Sequence, residues 1–123
     1  MKNILLIEDD STWLQRWQDD LRDEVGEYQI CTAKTPQEAF GAFPLRQDWD
    51  AIIIDGCIGG DDFNALPVIE EIRKTFSGVM IAASMNPDLR DMMMRAGCTS
   101  QTEKKYAVQQ MLHILRRQVV IVC

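Results

Sequence analysis

Four places in this sequence carry side chains that could do chemistry together if the fold united them: the acidic run Glu8-Asp9-Asp10, then Asp55, Ser84 and Lys104. Acids held a few ångströms apart repel and raise each other's pKa, so such a cluster is costly without a cation. Mg²⁺ relieves that cost, because it favours a few carboxylates, a carbonyl and several waters. A carboxylate screened in this way can attack an anionic phosphorus and form an acyl phosphate. Phosphoryl transfer asks a protein mainly for positioning and charge neutralisation. A hydroxyl (Ser84) and an ammonium (Lys104) are suitable donors for the remaining phosphoryl oxygens.

The elements that must position these groups alternate along the chain. Ile4-Leu5-Leu6-Ile7 is a continuous apolar run, as expected of a strand covered on both faces, and it stops at the acids. Asp10 or Ser11 can cap the helix that follows, in which Leu14, Trp17, Leu21 and Val25 recur at helical spacing before Gly26. Tyr28 to Ala33 reads as a second strand. Thr35-Pro36 opens a short helix with Ala39, Phe40 and Phe43 on its apolar side. Ala51-Ile52-Ile53-Ile54 is a strand ending at Asp55, followed by a loop with Gly56, Gly59 and Gly60. The next helix has Pro67 in its first turn, carries Leu66, Ile69, Ile72 and Phe76, and stops by Gly78. Val79 to Ala83 is a fourth strand ending at Ser84. A helix with Leu89, Met92, Met93 and Ala96 closes at Gly97. Cys98 to Glu103 contains no Ile, Leu or Val and fits only a sheet edge. Val108, Met111, Leu112 and Leu115 mark the last helix, and residues 119–123 form an apolar tail without an assigned role. Five strands alternating with five helices imply βαβ units around a parallel sheet. Ligands of such sheets bind outside the carboxyl ends of the strands, where the four candidate places fall.

Composition narrows the function. The 123 residues suit one compact domain, set here at residues 1–118, that needs no disulfide or metal to fold. The formal net charge of -6 argues against sequence-independent nucleic-acid binding and suits protein partners. Cys31, Cys57, Cys98 and Cys123 are scattered and form no C-x-x-C pair, which reads as reduced thiols in the cytoplasm. His113 stands alone, so zinc is disfavoured, and no apolar stretch approaches a membrane span.

With these residues in order, the sequence resembles the response-regulator receiver domains of two-component signalling over essentially its whole length. The resemblance implies an α/β, doubly wound, flavodoxin-like fold: a five-stranded parallel sheet of order 2-1-3-4-5 with five helices on both faces. It makes Asp55 the phosphorylated aspartate, Asp9 a direct Mg²⁺ ligand and Glu8 a ligand through water. Cys57 matches the position whose backbone carbonyl binds the metal. Ser84 matches the hydroxyl that meets the phosphoryl group, and Lys104, seven residues past Gly97, matches the lysine. The donor would be a sensor histidine kinase or phosphotransfer protein, as in a phosphorelay. Output would pass to a downstream protein partner or a second copy of the chain through the surface of the fourth helix, fifth strand and fifth helix, with no direct nucleic-acid or membrane contact. Self-phosphorylation and self-dephosphorylation are implied, but not the turnover of an enzyme. The chain departs from the family in having Lys105 where Pro follows the lysine, Gln101 where an aromatic switch residue stands, and Ile58-Gly59-Gly60 after the site. The spacing from Ser84 to Gly97 also predicts a short or irregular fourth helix.

Other readings compete. A pseudo-receiver that is never phosphorylated is kept open by Gln101 and Lys105 and opposed by the complete acidic set. A phosphatase using Asp55 would want a general acid two residues on, where Cys57 stands. A flavin binder would want Gly, Ser and Thr donors where the first strand-to-helix turn is acidic. Trp13, Trp17 and Trp49 read as packing residues, His113 as a surface residue, and Met92-Met93-Met94 as a run that must leave at least one methionine off the core.

Overall fold

A computed structural model describes residues 1–24, 26–58 and 64–117. Five strands, β1 (Lys2–Ile7), β2 (Tyr28–Ala33), β3 (Ala51–Ile54), β4 (Val79–Ala83) and β5 (Ser100–Thr102), form one sheet of order β2-β1-β3-β4-β5. All neighbouring pairs are parallel. The helices are α1 (Ser11–Arg22), α2 (Pro36–Ala42), α3 (Ala65–Arg73), α4 (Pro87–Ala96) and α5 (Ala107–Arg117), with 3-10 turns at Phe43–Leu45 and Lys104–Tyr106.

Alternation along the three central strands builds two cores. Leu5, Ile7, Ile52, Ile54, Met80 and Ala82 face α2, α3 and α4, where Ile69, Ile72, Leu89 and Met93 meet them. Ile4, Leu6, Ile53, Ile81 and Ala83 face α1 and α5, against Trp17, Leu21, Met111 and Leu112. The strands thus lie between two helical layers, and burying each large aliphatic side chain contributes about 1.5–3 kcal/mol. At the edges β2 is only partly buried, and polar β5 is half-buried throughout.

Several boundaries differ from those read in the sequence. Phe40 is 42% exposed, because α2 spans only seven residues and turns Ala39, not its neighbour, into the core. Helix α3 ends at Arg73, well before Gly78. The Arg73 guanidinium donates to the carbonyls of Phe76 (2.8 Å) and Gly78 (2.9 Å), which satisfies the chain beyond the helix end. Helix α4 is neither short nor irregular: Asn86 caps it through the N–H groups of Asp88 and Leu89, and Gly97 closes it at φ 137°. Met93 is buried and Met92 and Met94 are half-buried. Val25, Gly59, Gly60 and the tail 119–123 lie outside the described residues.

Candidate functional site

The register of the sheet assembles the site. Ile7 pairs with Ile54, so Glu8 and Asp55 leave their adjacent strands side by side. Backbone bonds hold both ends: the Glu8 N–H donates to Ala33 O (3.0 Å) and the Asp55 N–H to Ile7 O (2.9 Å). Glu8 is wholly buried, Asp55 is 5% exposed, and Asp9 is exposed. One carboxylate oxygen from each of Glu8, Asp9 and Asp55 lies within 4.8 Å of the others. Asp10 is used differently. Its side chain accepts from the N–H groups of Thr12 (2.8 Å) and Trp13 (3.3 Å) and caps α1, while its own N–H donates to Glu8 Oε1 (3.1 Å).

Lys104 enters this acidic group from the turn after β5. Its Nζ lies 2.9 Å from Glu8 Oε2 and 3.4 Å from Asp55 Oδ1. Lys105 points elsewhere, 3.9 Å from Glu103 and 5.0 Å from the Tyr106 ring centroid, so Lys104 is the amine beside the carboxylates. Burial and the Asp55 charge push the Glu8 carboxyl up to about 8, against the opposing pull of Lys104. Burial also raises Asp55, again against Lys104. Burial tends to lower the Lys104 pKa, but the hydrogen bonds and charges of Glu8 and Asp55 outweigh it and raise the net value.

Ser84 sits at the end of β4, 5% exposed, with its N–H donating to Thr102 O (3.2 Å). Its Oγ accepts from the Asn86 N–H (3.1 Å), which leaves its hydroxyl proton to donate. Arg90 donates to Ser84 O at 2.6 Å and reaches Gln101 Oε1 at 3.4 Å, and the Gln101 amide donates to Asp91 (3.2 Å). Gln101 is therefore tied to α4 by polar contacts. Cys57, half-buried, follows Asp55 on the loop. That loop is gripped by Asn64, whose Oδ1 accepts from Ile58 N (2.6 Å) and whose amide donates to Ile58 O. Gly56 lies under α4: a Cβ there would stand 2.2 Å from Leu89 Cδ2.

The donor set fits a small divalent cation. Three carboxylates converge from the ends of two strands. Buried Glu8 Oε2 has the Lys104 ammonium at 2.9 Å as its partner.

Asn64 and Arg90 carry no spacing signal in the sequence. Trp13 was read as packing, yet its ring centroid lies 5.9 Å from Lys104 Nζ. Its place one turn into the helix that starts at the acids was the available signal.

No family model and no curated protein matches the sequence. The fold, however, is similar to that of solved structures. A response-regulator receiver domain protein (CheY-like) from Methanospirillum hungatei JF-1 gives a TM-score of 0.76 at 16% identity, over 96% of this chain and 93% of that one. TrrA from Thermotoga maritima, in complex with Mg²⁺-BeF, gives 0.77 at 24% identity, over 97% and 100%. A response regulator protein from Burkholderia pseudomallei, with a phosphorylated aspartic acid, a calcium ion and citrate, gives 0.77 at 18% identity, over 94% and 66%.

Proposed function

We propose that this chain, which has the CheY-like receiver fold, accepts a phosphoryl group on Asp55 from a histidine kinase or phosphotransfer protein and relays it as a change of surface shape. The observation that carries this is the convergence of Glu8, Asp9 and Asp55 within 4.8 Å, with the Lys104 amine 3.4 Å from Asp55. Glu8, Asp9, Asp55 and the Cys57 carbonyl would hold Mg²⁺, which when bound neutralises charge between the carboxylates and the incoming phosphoryl oxygens. A carboxylate oxygen of Asp55 forms the new O–P bond as the P–N bond to the donor histidine breaks, its electron pair leaving on the imidazole. The Lys104 ammonium offsets charge on one phosphoryl oxygen, and the Ser84 hydroxyl donates to another.

Cys57 stands where a hydrolase would place its general acid, which supports a phosphoacceptor rather than a turnover enzyme. The scattered cysteines and acidic charge suit a cytoplasmic protein whose output runs through protein contacts, a homodimer among them. The test is a thermal-shift titration with Mg²⁺ and fluoroberyllate, followed by size-exclusion chromatography. A rise in Tm with both ions that exceeds the rise with Mg²⁺ alone, the excess disappearing in Asp55→Asn, is expected. A folded protein indifferent to both would instead mark a pseudo-receiver.

A further inference from the structure

We propose that Trp13 and Trp17 are positioning residues that hold Lys104 at both ends, Trp17 through its backbone and Trp13 through its ammonium. Lys104 has little local support: it opens a three-residue 3-10 turn after a three-residue edge strand. Its anchors come from α1. Trp13 and Trp17 are four residues apart and share a helix face. Trp17 is wholly buried, and its Nε1–H donates to Lys104 O at 2.9 Å. The Trp13 ring centroid lies 5.9 Å from Lys104 Nζ, within the range at which a ring face attracts an ammonium. Two carboxylates complete the hold on the amine, at 2.9 and 3.4 Å. Because Asp10 caps α1 through the N–H groups of Thr12 and Trp13, the helix carrying both tryptophans is locked to the acidic run that Lys104 serves. One helix start thus sets the acids and the amine relative to each other. The chemical consequence rests on the phosphoryl-binding role proposed for Lys104.

The test uses the full chain and the variants Trp13→Leu, Trp13→Phe and Trp17→Phe. Lys104 and Lys105 are labelled with limiting acetic anhydride, and the ratio of their acetylation is read by peptide mass. The rate of Asp55 phosphorylation from acetyl phosphate with Mg²⁺ is measured in parallel. Trp13→Leu should raise Lys104 labelling relative to Lys105 by about two- to five-fold, the lower end of what a cation–π contact is worth, and slow phosphorylation by a similar factor. Trp13→Phe, which keeps a ring, should restore most of both. Trp17→Phe, which removes the donor together with part of the buried ring volume, should shift both in the direction of Trp13→Leu; should it not fold, the Trp13 pair decides. Unchanged labelling in folded Trp13→Leu, or a rise that Phe does not reverse, overturns the proposal. Raised labelling in a protein that takes no phosphoryl group would support the clamp and sink the function proposed above.

Discussion

Glu8 and Lys104 form a buried ion pair at 2.9 Å, joining the end of the first strand to the turn after the last. Lys104 is the cation nearest the Glu8 and Asp55 carboxylates, so it stabilises their burial as well as facing any group bound on Asp55.

Removing that amine leaves two buried carboxylates facing each other. Above about pH 8, where Glu8 is ionised, Lys104→Met should therefore cost about 3–5 kcal/mol in metal-free urea unfolding, the usual cost of breaking a buried pair. Excess Mg²⁺ should recover part of it. Lys105→Met, at an exposed side chain, should stay within about 0.5 kcal/mol.

Stability should depend on pH in a direction set by Glu8. Its folded pKa of about 8, against an ordinary 4.5, means that the folded state holds this proton more tightly than the unfolded chain does. The contribution is complete below about 4.5 and is lost as pH rises through about 8. Asp55, also raised, acts in the same sense. Lys104, raised from 10.5, loses its contribution only above that value. Each pKa unit is worth ~1.4 kcal/mol, so stability in EDTA should fall by on the order of a few kcal/mol. Cation binding displaces the proton, so stabilisation by Mg²⁺ should be larger at pH 8 than at pH 6. Urea midpoints across pH, with EDTA and with Mg²⁺, check both.

The acids of the first turn should separate by role. Asp10→Ala removes the α1 cap and should cost about 1 kcal/mol, with Asp10→Ser restoring most of it and Mg²⁺ affinity surviving in both. Asp9→Asn should leave stability near its parent value and weaken Mg²⁺ binding at least tenfold. Calorimetric titration and thermal unfolding of the three variants distinguish these outcomes.

Gly56→Ala should destabilise by about 1–3 kcal/mol, because the added methyl would sit 2.2 Å from buried Leu89 Cδ2. Leu89→Ala opens space at that spot. The double variant should therefore be more stable than the sum of the single losses requires, as a double-mutant cycle in urea would show.

Much of this architecture was legible because its driving force is plain in composition. Runs such as Ile4–Ile7 and Ala51–Ile54, bounded by polar residues, read as strands buried on both faces, and the residues that end such strands gather at one rim of a parallel sheet. The polarity of β5 likewise placed it at the edge. What stayed hidden depends on register and turn geometry. That Lys104 and not its neighbour Lys105 lies beside Glu8 and Asp55 depends on the 3-10 turn and its contacts with α1 and β1. Phe40 misled because α2 is too short for a helical stripe to constrain its last turn. The grips of Asn64 on Ile58 and of Arg90 on Ser84 are side chain-to-backbone bonds that no spacing in the sequence announces.

The most direct trial of the central claim is the intact mass of the protein after incubation with acetyl phosphate and Mg²⁺. A single phosphoryl adduct should form, survive acid, be lost in base, and be missing from Asp55→Asn. Folded wild-type protein that gains no adduct, or an Asp55→Asn variant that gains it equally, would contradict Asp55 as the phosphoacceptor.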